Sequence, residues 1–149
     1  MIEKKNFYIN GKWVSPVKPN DFDVIDPSTE EAFAIISLGS VEDTDKAIDA
    51  AKKAFETWKE TTKEERLKLL QKFDEIYNRR WDEMVTAQSK EMGAPLDFAS
   101  ETHTKMGADI TKNIIKILKD FNFEHQFDPN SNNQIRYEPI GVCLSLIHI

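Results

Sequence analysis

The spacing of hydrophobic and polar positions changes twice along the chain, dividing it into a strand-like start, a long helical middle and a strand-like end. Phe7-Tyr8-Ile9 and Lys12-Trp13-Val14 flank Asn10-Gly11. That dipeptide suits a type I′ turn because both of its residues tolerate positive φ, so the segment predicts a two-stranded hairpin. Phe22-Asp23-Val24-Ile25 and Ala32-Phe33-Ala34-Ile35-Ile36 are two further β-like runs. The turn formers Asp26-Pro27-Ser28-Thr29-Glu30-Glu31 join them.

After Gly39 the period becomes helical. Ser40 with Asp43 three residues on forms an N-cap signal, and Ala47, Ile48, Ala51, Phe55 and Trp58 recur on one face, predicting a helix that ends near Trp58. Thr62 and Glu65 make a second capping box. Leu67, Leu70, Phe73, Tyr77, Trp81, Met84, Val85 and Gln88 then mark a single long amphipathic helix. Gly93 supplies its C-terminal stop and Pro95 the next start. From Pro95 to about Phe121 a third helix presents Leu96, Ala99, His103, Met106, Ile110, Ile114, Ile117 and Phe121, with Gly107 as a weak spot inside it. The polar link Asp128-Pro129-Asn130-Ser131-Asn132-Asn133 precedes a strand expected over 134–142.

Strands, three helices and a strand predict an α/β chain. Its helices carry more apolar surface than the short strands can cover, and a larger sheet is expected against the third helix. With 26 acidic and 20 basic residues the net charge is −6, and the basic residues are interspersed with acidic ones, which argues against nucleic acid or an anionic membrane as partner. No apolar run reaches the ~20 residues needed to span a bilayer, and the first five residues carry no secretory core, so a cytoplasmic location is the default expectation. Cys143 is the lone cysteine and the three histidines are scattered, which excludes a disulfide framework and gives no sign of a metal cage.

Several segments, in the right order, resemble the N-terminal part of the aldehyde dehydrogenase superfamily. They are Tyr8-Ile9-Asn10-Gly11-Lys12-Trp13, Ile25-Asp26-Pro27-Ser28-Thr29 with Glu31, Val41 to Ala47, Ala50 to Phe55 leading to Trp58, Glu65-Arg66, Glu91-Met92-Gly93-Ala94-Pro95, and Glu138-Pro139-Ile140-Gly141-Val142. Asp26, Glu30 and Ala94 depart from the usual Asn, Gly and Lys. The resemblance implies the aldehyde dehydrogenase fold in truncated form: an N-terminal β-hairpin and short strands, three amphipathic helices, and the start of a Rossmann-like cofactor-binding domain. It implies NAD(P)-dependent oxidation of an aldehyde to a carboxylic acid through a cysteine thiohemiacetal, with NAD or NADP as cofactor, a small aldehyde as substrate, and a homodimer or homotetramer when complete. The nucleophilic Cys, the base Glu and the oxyanion Asn lie beyond Val142 in the family order, so the resemblance assigns no catalytic or cofactor-binding residue here. The chain alone is expected to be inactive. The alternative is an inactive helical interaction module derived from the same family.

Cys143 is expected to be a packed thiol at the entrance of a buried strand rather than a nucleophile, and His103 a satisfied core or boundary residue. One site does carry over by resemblance: Glu91 with the backbone carbonyls around Val24 and Ile25, where the family holds a monovalent cation. A hard cation favours such oxygens, and a carboxylate in the last turn of a helix is mildly unfavourable without a partner. The family-like part is expected to span residues 1–143. Leu144-Ser145-Leu146-Ile147-His148-Ile149 replaces the family's continuation and can be written CTG TCT CTT ATA CAC ATC, a transposon-end adapter sequence. An adapter-derived or frameshifted tail is therefore expected over 144–149.

Overall fold

A computed structural model describes residues 1–145. Strand β1 (Ile2–Lys4) pairs in parallel with β5 (Glu31–Ser37), which pairs antiparallel with β4 (Asp21–Asp26), giving the sheet order β1-β5-β4. The hairpin β2 (Phe7–Ile9) and β3 (Lys12–Val14) forms as the Asn-Gly signal requires, with Asn10 at φ 52° and Gly11 at φ 74°. Between them Tyr8 and Trp13 stand opposite each other, their ring centroids 5.2 Å apart and edge-on. β1 was not expected, because Ile2-Glu3-Lys4 offers no alternation long enough to read.

Helix α1 (Val41–Trp58) begins at Ser40, whose side chain accepts from the Asp43 amide while Asp43 answers the Ser40 amide. The Asp43 carboxylate also accepts from the Val17 amide at 3.0 Å, which ties the strand region to the helix start. Helix α2 (Lys63–Arg79) starts with the second reciprocal box, between Thr62 and Glu65. The expected single long helix is divided at Arg80, which leaves helical geometry at φ −101°, ψ 24°, and α3 runs Trp81–Met92. The division has a packing reason: α2 lies against the last helix and α3 against the segment before it and against β4. One straight rod would not serve both neighbours. Gly93 closes α3 in the left-handed conformation at φ 69°.

The expected third helix is likewise not uniform. It opens as α4 (Leu96–Phe98), widens into a π-helical segment over Ala99–Thr104, and continues as α5 (Lys105–Asp120). The wide turn buries Ala99 and Thr104 completely. There the Trp81 indole donates to Ser100 Oγ at 3.1 Å, Thr104 Oγ1 donates to Gln88 Oε1 at 3.3 Å, and Tyr77 OH donates to the Thr104 carbonyl at 3.1 Å. The Tyr77 hydroxyl thus takes up one carbonyl of the wide turn, and the other two bonds fix its side chains to α3. At the far end Lys63 Nζ donates to the Lys119 and Phe121 carbonyls at 3.1 and 3.5 Å, joining the start of α2 to the end of α5.

The final strand is shorter than expected. Only β7 (Gln134–Arg136) forms, antiparallel to β6 (Glu124–Gln126), and residues 137–145 carry no strand. The Tyr137 amide still donates to the Phe123 carbonyl at 2.8 Å, and beyond it no further strand among the described residues lies alongside. Residues 146–149 of the expected tail lie outside the described residues.

The core is thin. Among the described residues Ala34, Val85, Ala99, Ala108 and Ile115 are the buried apolar ones, and the accessible surface is 11833 Å². A compact monomer of this mass exposes about 7,800 Å². Exposed large apolar side chains occur in both parts, Tyr8, Trp13, Phe22 and Ile25 among the strands and Phe73, Met106, Ile110, Ile114 and Ile117 on the helices.

Candidate functional site

The β4–β5 turn and the last turn of α3 meet in one corner, and the sequence dictates both sides of it. Asp26 organises the turn: its carboxylate accepts from the Ser28 amide at 2.9 Å and from the Ser28 hydroxyl, and its carbonyl accepts from the Thr29 and Glu30 amides at 3.2 and 2.8 Å. These bonds, the Ser28 hydroxyl first, hold the Asp26 carboxyl below its ordinary range, with a smaller contribution from the charge of Lys90. Glu30 sits at φ 59°, a left-handed conformation that favours glycine. The Gly-to-Glu departure noted in the sequence therefore falls where the backbone most wants glycine.

The strand register slips between Val24 and Ile25: Val24 lies opposite Ala34 and Ile25 opposite Ala32, so Phe33 has no partner. A slip of this kind locally interrupts the ladder. Lys90 Nζ lies 5.9 Å from the centroid of the Phe33 ring, and a Cβ at Gly93 would stand 3.2 Å from Pro27 Cβ. Helix α3 is thus clamped to the turn by a close glycine–proline approach and a cation over a ring. Glu91 is exposed on the same final turn, next to Lys90. Helix α3, which carries Glu91, contacts β4, which carries Val24 and Ile25. No group of three or more His, Cys, Asp or Glu suited to a metal occurs among the described residues, so any ion here would depend on backbone oxygens.

Phe33 and Lys90 were not singled out from sequence. Phe33 reads there as one more apolar strand position, and only the register slip distinguishes it.

A second concavity, a cleft of about 770 Å³, opens between the α1–α2 junction and the β6–β7 hairpin. Its walls include Phe55, Lys63, Arg66, Phe123, Arg136 and Tyr137. Arg66 donates to Thr61 Oγ1 at 2.9 Å and to the Lys59 carbonyl at 3.2 Å, and lies over the Phe123 ring at 5.9 Å. Arg136 Nε pairs with Glu124 and Glu138 at 3.1 and 3.4 Å. Both guanidinium groups are engaged within the wall, which makes the cleft a seam between elements.

Two sequence expectations need correction. Cys143 is exposed rather than packed, because the strand that was to bury it stops at Arg136. Its Sγ approaches the Gly141 carbonyl at 3.9 Å. His103 is half-buried, a boundary residue as expected, and packs edge-on against Phe98 at 4.9 Å, but among the described residues its buried Nδ1 has no hydrogen-bond partner, so it is not satisfied. The wide π turn fixes that ring position, and helical spacing alone gave no sign of it. The two capping acids fall where expected: Asp43 and Glu65 cap helices, and the bonds they accept from Ser40 and Thr62 hold both carboxyls below their ordinary range.

The aldehyde dehydrogenase family model matches residues 13–147. A 3-succinoylsemialdehyde-pyridine dehydrogenase of a Pseudomonas species is 36% identical over 144 residues, covering 96% of this chain and 30% of that protein. Among solved structures, an aldehyde dehydrogenase of Bartonella henselae superposes with a TM-score of 0.86 at 50% identity, covering 89% of this chain and 28% of the other. Aldehyde dehydrogenase C of Pseudomonas syringae, solved with NAD+ and octanal, superposes at 0.79 with 32% identity, covering 81% of this chain and 25% of the other. The chain spans under a third of the length of these relatives. Hairpin, turn, capped helices and their order agree with that match along nearly the whole sequence, and the chain belongs to the aldehyde dehydrogenase family.

Proposed function

We propose that this chain is the N-terminal scaffold of an NAD(P)-dependent enzyme that oxidises a small aldehyde to a carboxylic acid. The observation that carries the reading is the match at 50% identity and TM-score 0.86 to an aldehyde dehydrogenase of which it covers 28%. A relative solved with NAD+ and octanal supports the cofactor and the substrate class. The cofactor supplies hydride acceptance in such an enzyme, but this stretch does not provide its cradle. The five glycines, at 11, 39, 93, 107 and 141, are isolated and none makes a phosphate-binding turn. The contribution of these residues is positional: two capped helices, the α3–turn corner and the π-segment clasp hold the layer on which a cofactor sheet would rest.

The same reading places a monovalent cation on the Val24 and Ile25 carbonyls and the Glu91 carboxylate. The register slip between the first two residues and the electrostatic cost of an acid at the end of α3 support it. The alternative, an inactive interaction module in the cytoplasm, draws support from the exposed helix faces.

The test joins this chain to the remaining part of the Bartonella henselae relative and follows NAD and NADP reduction with a panel of aldehydes. Turnover is expected from the chimera and none from the 149-residue chain alone. A folded but inactive chimera would overturn the scaffold reading. For the ion, sodium or potassium should raise the thermal stability of the chimera, and Glu91→Gln should abolish that rise; a response that is absent, or that survives the substitution, counts against the site.

A further inference from the structure

The turn of the β2–β3 hairpin holds an electrophile and a nucleophile on adjacent residues. Asn10 offers its side-chain amide carbon, Cγ, and Gly11 offers a backbone nitrogen with no side chain to shield it. Glycine follows no other asparagine in the chain. The register of the hairpin ends at the Ile9 and Lys12 pair, so Gly11 stands outside the ladder, and among the described residues its amide has no backbone acceptor. Serine, the next smallest such neighbour, follows only Asn130. There the amide is engaged, since Ser131 N–H donates to the Asp128 carbonyl at 2.9 Å.

We propose that Asn10 is a self-modification site, at which the Gly11 nitrogen displaces ammonia and closes a succinimide. The Gly11 nitrogen gives its proton to solvent and bonds to Asn10 Cγ. The Cγ–Nδ2 bond breaks, and Nδ2 takes a proton from solvent and leaves as ammonia. Water then adds to one of the two ring carbonyls and opens the ring. One opening leaves aspartate at position 10; the other leaves isoaspartate, with the main chain running through the side-chain carbon. The reacting groups are neighbours in the chain, so the step stands apart from the enzymatic reading and needs no further element.

The hairpin gates this step. Asn10 at φ 52° and Gly11 at φ 74° form the type I′ turn. A nearly planar five-membered ring turns the Asn10 Cα–C bond away from the ψ which that turn requires, so the ring closes only when the hairpin has opened. Opening is within reach. Strands β2 and β3 have three residues each and make a separate two-stranded sheet, tied beyond its own ladder by β2 against α1. A hairpin of this size is marginal by itself. Isoaspartate adds a backbone carbon to a two-residue loop whose length sets the register, so Tyr8 and Trp13 no longer come opposite each other. Aspartate keeps the loop, because Asp-Gly suits the same turn.

The experiment incubates the 149-residue chain in neutral buffer and follows every asparagine by peptide mapping, with fragmentation that tells isoaspartate from aspartate. Position 10 should convert first, ahead of Asn130, and yield both products. Tyr8→Ala removes the edge-on ring pair across the hairpin and should speed conversion at position 10 about two- to tenfold, leaving Asn130 unchanged. Asn10→Gln, whose cyclisation needs a larger ring, should stay intact at that position over the same time. Circular dichroism of both variants checks that the helices are retained. Conversion of another asparagine before Asn10 overturns the site, and aspartate without isoaspartate overturns the succinimide route. A rate at position 10 that Tyr8→Ala leaves unchanged overturns the gating by the hairpin.

Discussion

The clasp between α2 and α5 and the turn between β4 and β5 use glycine in opposite ways. In α5 a glycine stands where the backbone does not want one: Gly107 lies inside a helix, yet a Cβ there would come within 2.5 Å of Tyr77 OH and 3.1 Å of its Cζ. In the turn a non-glycine stands where the backbone wants glycine, Glu30 at φ 59°. Space decides the first position and dihedral angle the second. A helix-propensity scale penalises Gly107 and has nothing to say about Glu30, and in both cases it misjudges what the position needs.

The sharpest break of that contrast is Gly107→Ala. Alanine should gain about 1 kcal/mol of helix propensity, but overpacking against a ring held between two helices costs about 1–3 kcal/mol. Tyr77 cannot retreat freely, because its hydroxyl is bonded to the Thr104 carbonyl and its ring meets Trp81 edge-on at 6.5 Å. The variant should lose up to about 2 kcal/mol, a drop of as much as several degrees in Tm. Tyr77→Phe alone should cost about 1 kcal/mol for the lost hydrogen bond. In the Tyr77→Phe background, Gly107→Ala should cost less than in the wild type, since the 2.5 Å contact with the hydroxyl is gone while the 3.1 Å approach to Cζ remains. A double-mutant cycle with no coupling would mean that the close approach does not govern this position.

The turn should respond with the opposite sign and a smaller size. Glu30→Gly relieves a left-handed residue at a cost in unfolded-state entropy, for a net gain of about 0.5 kcal/mol in chemical denaturation. Glu30→Ala keeps the strain and should bring no such gain. If glycine and alanine behave alike here, dihedral strain is not what distinguishes the turn from the clasp.

How legible these features were follows the range of the interactions. The hairpin, both capping boxes and the glycine stop of α3 are each decided within about four residues, and the sequence displays all their parts. The break at Arg80 and the π segment depend on which neighbour each half of a helix must meet, which a periodic pattern does not encode. The exposure of Cys143 and the short β7 arose similarly, since an apolar run reads as a buried strand only if a sheet lies beside it. In the candidate corner, the turn residues were evident while Phe33 and Lys90 were not, because a register slip is a property of two strands together.

The smallest expected effect tests what holds the turn in the absence of glycine. Asp26 accepts from both the amide and the hydroxyl of Ser28, and its carboxyl is held below the ordinary 3.8 mainly by the hydroxyl, with Lys90 contributing less. A carboxylate whose folded-state pKa is depressed stabilises the fold above its unfolded value. That contribution is lost as pH falls through the folded value, so the acid limb of stability should begin near pH 4 and deepen below it. In Asp26→Asn this component should vanish, while the turn keeps an oxygen for the Ser28 amide. Carboxyl NMR of Asp26 separates the causes: Ser28→Ala should bring its midpoint back toward 3.8 by more than Lys90→Gln does. A larger response to Lys90→Gln would mean that helix α3, rather than the turn's own hydrogen bonds, holds the corner, and the contrast with the clasp would then rest on two packed helices instead of on space against dihedral.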